Sequence, residues 1–204
     1  MQSRRSFLQK TALATTALGL FPAGQYAFST PYQSGSLRVA LIGVGLRGTN
    51  HLNNLLLRDD VSITALCDTD PSRLELCTRH IREAGKPEVV TFGEHDYSYR
   101  DLLALENVDA VVISTPWQWH TPMAVDAMKA GKYTGLEVSA AMTLEECWDL
   151  VNTHELTGSH LMLLENVNYR RDILAVLRMV REGVFGELVH FRCGYQHDLR
   201  EVKF

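Results

Sequence analysis

The segment Leu37-Arg38-Val39-Ala40-Leu41-Ile42 runs directly into Gly43-Val44-Gly45-Leu46-Arg47-Gly48, and no other stretch of the chain constrains its fold as tightly. The first six residues are mostly apolar and read as a buried strand that turns at Gly43. A GxGxxG pattern alone is weak, because glycine-rich turns are common. Between a buried strand and the opening of a helix it has the context of a dinucleotide-binding turn. There Gly43 permits the tight turn, Gly45 lets the backbone approach a pyrophosphate, and Gly48 allows helix and strand to pack closely. The helix N-terminus then offers N–H groups to phosphates. Asp68 closes the second predicted strand, where a carboxylate accepts hydrogen bonds from ribose hydroxyls and repels a 2′-phosphate. The pattern therefore favours NAD over NADP. The bland alternative is a structural glycine turn, with Asp68 as a helix cap.

Strand and helix signals alternate from there. Asn50 to Leu57 reads as helix and Val61 to Cys67 as strand. Asp70-Pro71 caps a helix that runs to Ala84 and stops at Gly85. Val89 to Phe92 is a weak strand, Asp101 to Leu105 a short helix, and Asp109 to Ser114 a buried strand. Thr121 to Ala130 is a helix ended by Gly131, Tyr133 to Val138 a fifth strand. Thr143 and Glu146 make a capping box for a helix to Thr157, and His160 to Leu164 is a sixth strand. The pattern predicts an α/β fold over residues 36–165, a Rossmann-type doubly wound parallel sheet. Past Glu165 it changes. Asp172 to Glu182 reads as a helix stopped by Gly183, and Glu187 to Tyr195 alternates like a half-buried strand. A lone strand cannot satisfy its backbone groups. Residues 166–204 are therefore expected to open a truncated α+β substrate domain.

Composition narrows the partners. A net charge of −4 over 204 residues, with no sustained basic stripe, argues against nucleic acid. Cys67, Cys77, Cys147 and Cys193 show no metal-ligand spacing, so no metal is expected. At the N-terminus, Ser3-Arg4-Arg5-Ser6-Phe7-Leu8 resembles a twin-arginine export motif. The apolar run from Ala12 to Phe21 that follows is too short for stable membrane insertion. Residues 1–30 thus read as a signal peptide, the twin-arginine translocase as a transient partner, and the periplasm or exterior as the destination. That route exports folded proteins, which suits an enzyme carrying NAD and removes the need for a disulfide framework.

Ligands of open parallel sheets bind beyond the carboxyl ends of the strands. Thr115-Pro116-Trp117-Gln118-Trp119-His120 follows the fourth strand and looks like a cofactor wall. Glu137 ends the fifth strand and can hold a ribose; Glu165 and Asn166 end the sixth. Several polar residues converging on one crevice say more than any one of them. Tyr195 and His197 share a face of the last predicted strand, and both are competent proton-transfer groups.

These motifs resemble the Gfo/Idh/MocA oxidoreductase superfamily, through Gly43 to Gly48, Asp68, Ser114-Thr115-Pro116 and Gly131 to Val138. Within it the chain is most similar to the NAD-dependent glycosidases of glycoside hydrolase family 109, the α-N-acetylgalactosaminidase type. The marks are Trp117-Gln118-Trp119-His120, Gly135-Leu136-Glu137-Val138, Glu165-Asn166-Val167 with Tyr169-Arg170-Arg171, and Gly194-Tyr195-Gln196-His197-Asp198. Ordinary dehydrogenases of the superfamily carry Glu-Lys-Pro where this chain has Glu137-Val138-Ser139, and valine cannot transfer a proton. The resemblance implies that Leu46, Arg47, Asp68, Trp117 to His120, Glu137, Val138 and Asn166 contact NAD. It implies a carbohydrate substrate met by Tyr195 and His197, and redox-assisted elimination and hydration with no net redox change. In that scheme hydride leaves C3 of the sugar, the C2 proton is removed, the C1 substituent is expelled, and hydride returns. Tyr195, His197 and Glu165 remain open as the group that takes the C2 proton. Two other readings stay open, a sugar dehydrogenase with another base and a non-catalytic NAD-binding chain. Homo-oligomerisation is compatible with all three.

Overall fold

Alternation along the first strand decides how the chain packs. β1 (Leu37–Ile42) sends Ala40 and Ile42 to one face and Leu41 to the other, and all three are buried. A strand apolar on both faces needs cover on both sides. In the computed structural model, which describes residues 35–194 and 198, helices provide it. The strands are β1, β2 (Val61–Cys67), β3 (Val90–Phe92), β4 (Ala110–Ile113), β5 (Tyr133–Leu136) and β6 (Leu161–Leu163). They form one six-stranded sheet in the order β3-β2-β1-β4-β5-β6, every neighbouring pair parallel. Under one face, α1 (Leu46–Leu56) and α2 (Pro71–Glu83) close a core of Leu41, Val44, Leu52, Leu66, Cys77 and Ile81. On the other, α3 (Tyr99–Leu103), α4 (Trp117–Lys129) and α5 (Leu144–Thr157) surround Ile42, Tyr99, Leu102, Ile113, Met128 and Leu136. This is the doubly wound Rossmann arrangement. The strand order reverses between β1 and β4, which opens a crevice at their carboxyl ends.

Local chemistry sets the element ends. Asp70 accepts a hydrogen bond from the Ser72 N–H at 2.9 Å ahead of Pro71, and so starts α2. Thr143 and Glu146 form the reciprocal capping box of α5. Arg38 grips Asp109 through two side-chain bonds of 2.9 and 2.6 Å, fastening the start of β1 beside the approach to β4.

Several boundaries differ from the sequence expectation. α1 starts at Leu46 rather than Asn50, because the glycine turn feeds straight into it. α4 starts at Trp117 rather than Thr121. Thr121-Pro122 imitates a cap and first helical residue, but Pro122 lies inside the helix, which runs through it at the loss of one backbone bond. The Trp117 to His120 segment is therefore the first turn of a helix and not a loop. α3 lies at Tyr99–Leu103, slightly ahead of the expected Asp101 to Leu105. The expected strand from Glu187 does not form over 187–194. Val189 and Phe191 are 91% and 76% exposed there, and no strand among the described residues pairs with them. A 3₁₀ turn (Asn166–Tyr169) and α6 (Arg171–Arg181) precede that segment. Tyr195, His197 and the expected signal segment lie outside the described residues.

Candidate cofactor site

The three fingerprint glycines are demanded by different things. Gly43 has φ +83°, and a Cβ there would sit 2.8 Å from the carbonyl carbon and oxygen of Ser114. A Cβ on Gly48 would run into the carbonyl oxygen of Gly43. Gly45 has no such constraint, since a Cβ there would meet nothing within 4 Å. The protein's own packing requires the outer two glycines and leaves open space over the middle one. That space belongs to a cleft of about 590 Å³ at the carboxyl ends of β1, β2 and β4. Gly43, Gly45 and Leu46 line one wall, Asp68, Asp70 and Arg73 another, and Ser114, Thr115, Pro116 and Trp119 a third. The first turn of α1 opens here with N–H groups that have no partner inside the helix.

Asp68 serves the turn as well as the cleft. Its Oδ2 accepts from the Val44 N–H at 2.7 Å and its Oδ1 from the Asp70 N–H at 3.0 Å. Arg73, on α2, supports the same turn. It donates to the Val44 carbonyl at 3.2 Å and to Thr49 Oγ1 at 2.8 Å. On the opposite wall Ser114 Oγ is buried and has no hydrogen-bond partner. A buried hydroxyl without a partner costs stability unless a ligand meets it. The open ground over Gly45, the Asp68 carboxylate and the orphaned Ser114 hydroxyl together fit a dinucleotide. Cys67 also lines the cleft, but burial, with Asp68, Glu94 and Asp101 nearby, pushes its thiol up to about 12. It stays protonated and is no nucleophile.

At the end of β5, Glu137 is 5% exposed. Its Oε1 accepts from Arg47 Nε and from His51 Nε2, each at 2.6 Å, and its Oε2 from the Val138 N–H at 3.2 Å. Burial pushes this carboxyl up, but the donors on His51 and Arg47 outweigh it and hold the group below the usual carboxylate range. Val138 beside it is exposed.

The expected aromatic wall is only partly a wall. Trp119 lines the cleft and meets Tyr97 edge-on, with ring centroids 5.5 Å apart. Trp117 and Gln118 are exposed beside it. His120 is turned inward at 1% exposure, its ring nitrogens 2.6 Å from the Ser139 carbonyl and 2.8 Å from the Thr115 carbonyl. It ties the β4 turn to the β5 turn and does not line the cleft. Glu165 caps the 3₁₀ turn by accepting from the Val167 N–H at 3.0 Å, and Asn166 is exposed after it. Gly43, Gly45, Leu46, Asp68 and Trp119 thus meet in one cleft, with Arg47 and Glu137 joined to each other close by. Sequence reasoning passed over Arg73, His51 and the Ser114 hydroxyl. His51 was detectable, since it stands one helical turn after Arg47 on the same face.

Residues 37–164 match the Gfo/Idh/MocA family described as an oxidoreductase family with an NAD-binding Rossmann fold. The chain belongs to the Gfo/Idh/MocA family. Residues 169–204 match the glycosyl hydrolase 109 C-terminal domain. An α-N-acetylgalactosaminidase of Tannerella forsythia is 48% identical over 99% of this chain and 47% of its own length. A glycosyl hydrolase family 109 protein of Parabacteroides distasonis is 46% identical over 99% of this chain and 46% of its own. The chain therefore spans about half the length of the curated relatives it matches. Among solved structures of the Gfo/Idh/MocA fold, myo-inositol 2-dehydrogenase of Lactobacillus plantarum aligns with a TM-score of 0.65 at 25% identity, covering 76% of this chain and 43% of that one. Scyllo-inositol dehydrogenase of Lactobacillus casei, solved with NAD(H) and scyllo-inositol, aligns with a TM-score of 0.65 at 19% identity, covering 74% and 43%.

Proposed function

We propose that this chain holds NAD and forms the cofactor half of an exported glycosidase acting on α-N-acetylgalactosaminides. The observation that carries the cofactor is the unobstructed space over Gly45, faced by Asp68 and by the partnerless Ser114 hydroxyl. The glycosidase reading rests on the 48% identity, over 99% of this chain, to part of the Tannerella forsythia enzyme. Gly45 and the start of α1 would receive the pyrophosphate, Asp68 the adenosine ribose, and Trp119 with the Glu137 region the nicotinamide half. Asp68, already bonded to Val44, would bind ribose hydroxyls without reorganising the turn and would repel a 2′-phosphate. When bound, NAD supplies reversible hydride exchange with a sugar carbon. Val138, where dehydrogenases of the family carry lysine, offers no proton, so this strand end does not drive alcohol oxidation by that route. Proton transfer at sugar C2 falls to Tyr195, His197 or Glu165. The arginine pair Arg4-Arg5 directs the folded protein out through the twin-arginine translocase.

Titrating the chain with NAD and NADP tests the cofactor assignment. NAD should bind more tightly, and Asp68→Ala should weaken it and narrow the preference. Tighter NADP binding by the unaltered chain would sink the assignment. For the reaction, the complete gene product carrying this sequence should cleave an aryl α-N-acetylgalactosaminide without net NADH, and solvent deuterium should enter at C2. The fold is shared with an inositol dehydrogenase, and steady NADH release on a free sugar without cleavage would establish the dehydrogenase reading instead.

A further inference from the structure

Arg47 and His51 stand one turn apart on α1 and converge on a single oxygen of a buried carboxylate at the end of β5. This links the helix that opens the glycine turn to the opposite half of the sheet, across the switch point. An ionised carboxylate only accepts hydrogen bonds, so His51 presents Nε2–H to it. Glu137 Oε1 is thereby fully engaged and its position depends on these two side chains; all three residues flank the main cleft without lining it. Doubly wound sheets bind a dinucleotide with one mononucleotide on each side of the reversal. Asp68, just after β2, marks the adenosine side, which leaves the β4–β5 side, with Glu137, for the nicotinamide mononucleotide. We infer that His51 is a positioning residue for the nicotinamide half of the cofactor, acting through Glu137 and without touching the cofactor itself.

The inference rests on the NAD reading above, and the test separates the two. The chain is titrated with NAD and, separately, with ADP, which occupies only the adenosine and pyrophosphate ground. His51→Asn shortens the donor below the reach of Nε2, whereas His51→Gln restores an N–H at that reach. His51→Asn should raise the dissociation constant for NAD ~10-fold, the scale of a lost hydrogen bond to a charged group, and leave that for ADP unchanged. His51→Gln should recover most of the NAD affinity. Equal losses for NAD and ADP, or no rescue by glutamine, would reduce His51 to a fold-supporting residue and overturn the inference. Unaltered NAD affinity in His51→Asn would overturn it as well. If the unaltered chain binds neither ligand, the NAD assignment itself is overturned.

Discussion

The contrast between Gly43 and Gly45 separates what the fold needs from what the ligand needs, and two substitutions should expose it. Gly43→Ala forces a Cβ into a left-handed conformation against the Ser114 backbone. It should cost about 2 kcal/mol or more and lower the melting temperature by roughly 5 °C. Gly45→Val places its side chain in open space, so the melting temperature should hold while NAD affinity falls ~10-fold or more. Thermal unfolding and ligand titration of both variants give the check. Identical behaviour in the two assays would show that the cleft over Gly45 is not where the cofactor lies. His120 carries a related lesson. A histidine after a strand end looks like a ligand-facing residue, yet its ring is spent on two carbonyls, and only packing could decide that.

At the scale of elements, capping fixes helix ends locally, while ion pairing joins pieces that are distant in sequence. Thr143 Oγ1 accepts from the Glu146 N–H at 3.2 Å, and Glu146 returns the bond to the Thr143 N–H at 3.1 Å. Thr143→Ala should therefore destabilise α5 by about 1 kcal/mol, visible as a melting point lower by roughly 3 °C. The join between α1 and β5 should respond to acid. Glu137 has its carboxyl held below the usual range, so its contribution is fully present above the unfolded value of about 4.3 and disappears as pH falls through the lowered folded value. In urea unfolding, wild type should exceed Glu137→Gln in stability near neutral pH, and the gap should close on acidification below about pH 4. A gap independent of pH would mean that the carboxylate's charge does not support this join.

For the whole molecule, the proposed twin-arginine route would place cofactor loading before export. The expected signal segment carries Arg4 and Arg5, and the cleft lies in a domain that must be folded before it can hold NAD. Replacing both arginines by lysine should leave the precursor in the cytoplasm on fractionation, with NAD binding unchanged. Undiminished periplasmic recovery would show that another signal directs the protein. Among the described residues, no helix is long and apolar enough to cross a membrane. The apolar face of α6, with Ile173, Leu174 and Leu177 partly exposed, belongs to the region that matches the glycosyl hydrolase 109 C-terminal domain.

The sequence by itself determined the sheet, the glycine turn and the place of Asp68 beside it. Those depend on local patterns, namely apolar strands bounded by turn residues, glycine at fixed spacing, and a carboxylate closing β2. It also held the capping box of α5, which is written in residues three apart. The helix start at Leu46 escaped it because the glycine turn feeds straight into the helix, and that at Trp117 because Thr121-Pro122 carries the punctuation of a start that packing overrides. The segment from Glu187 has strand alternation but no strand beside it among the described residues, and alternation supplies no hydrogen-bond partners. Only the tertiary structure brought Arg47, His51 and Glu137 to one oxygen, turned His120 away from the cleft and left Ser114 Oγ without a partner. The meetings of Arg47 with Glu137 and of His120 with Ser139 join residues whose separation in sequence carries no periodic signal. Their geometry is fixed by how parallel strands and their covering helices pack.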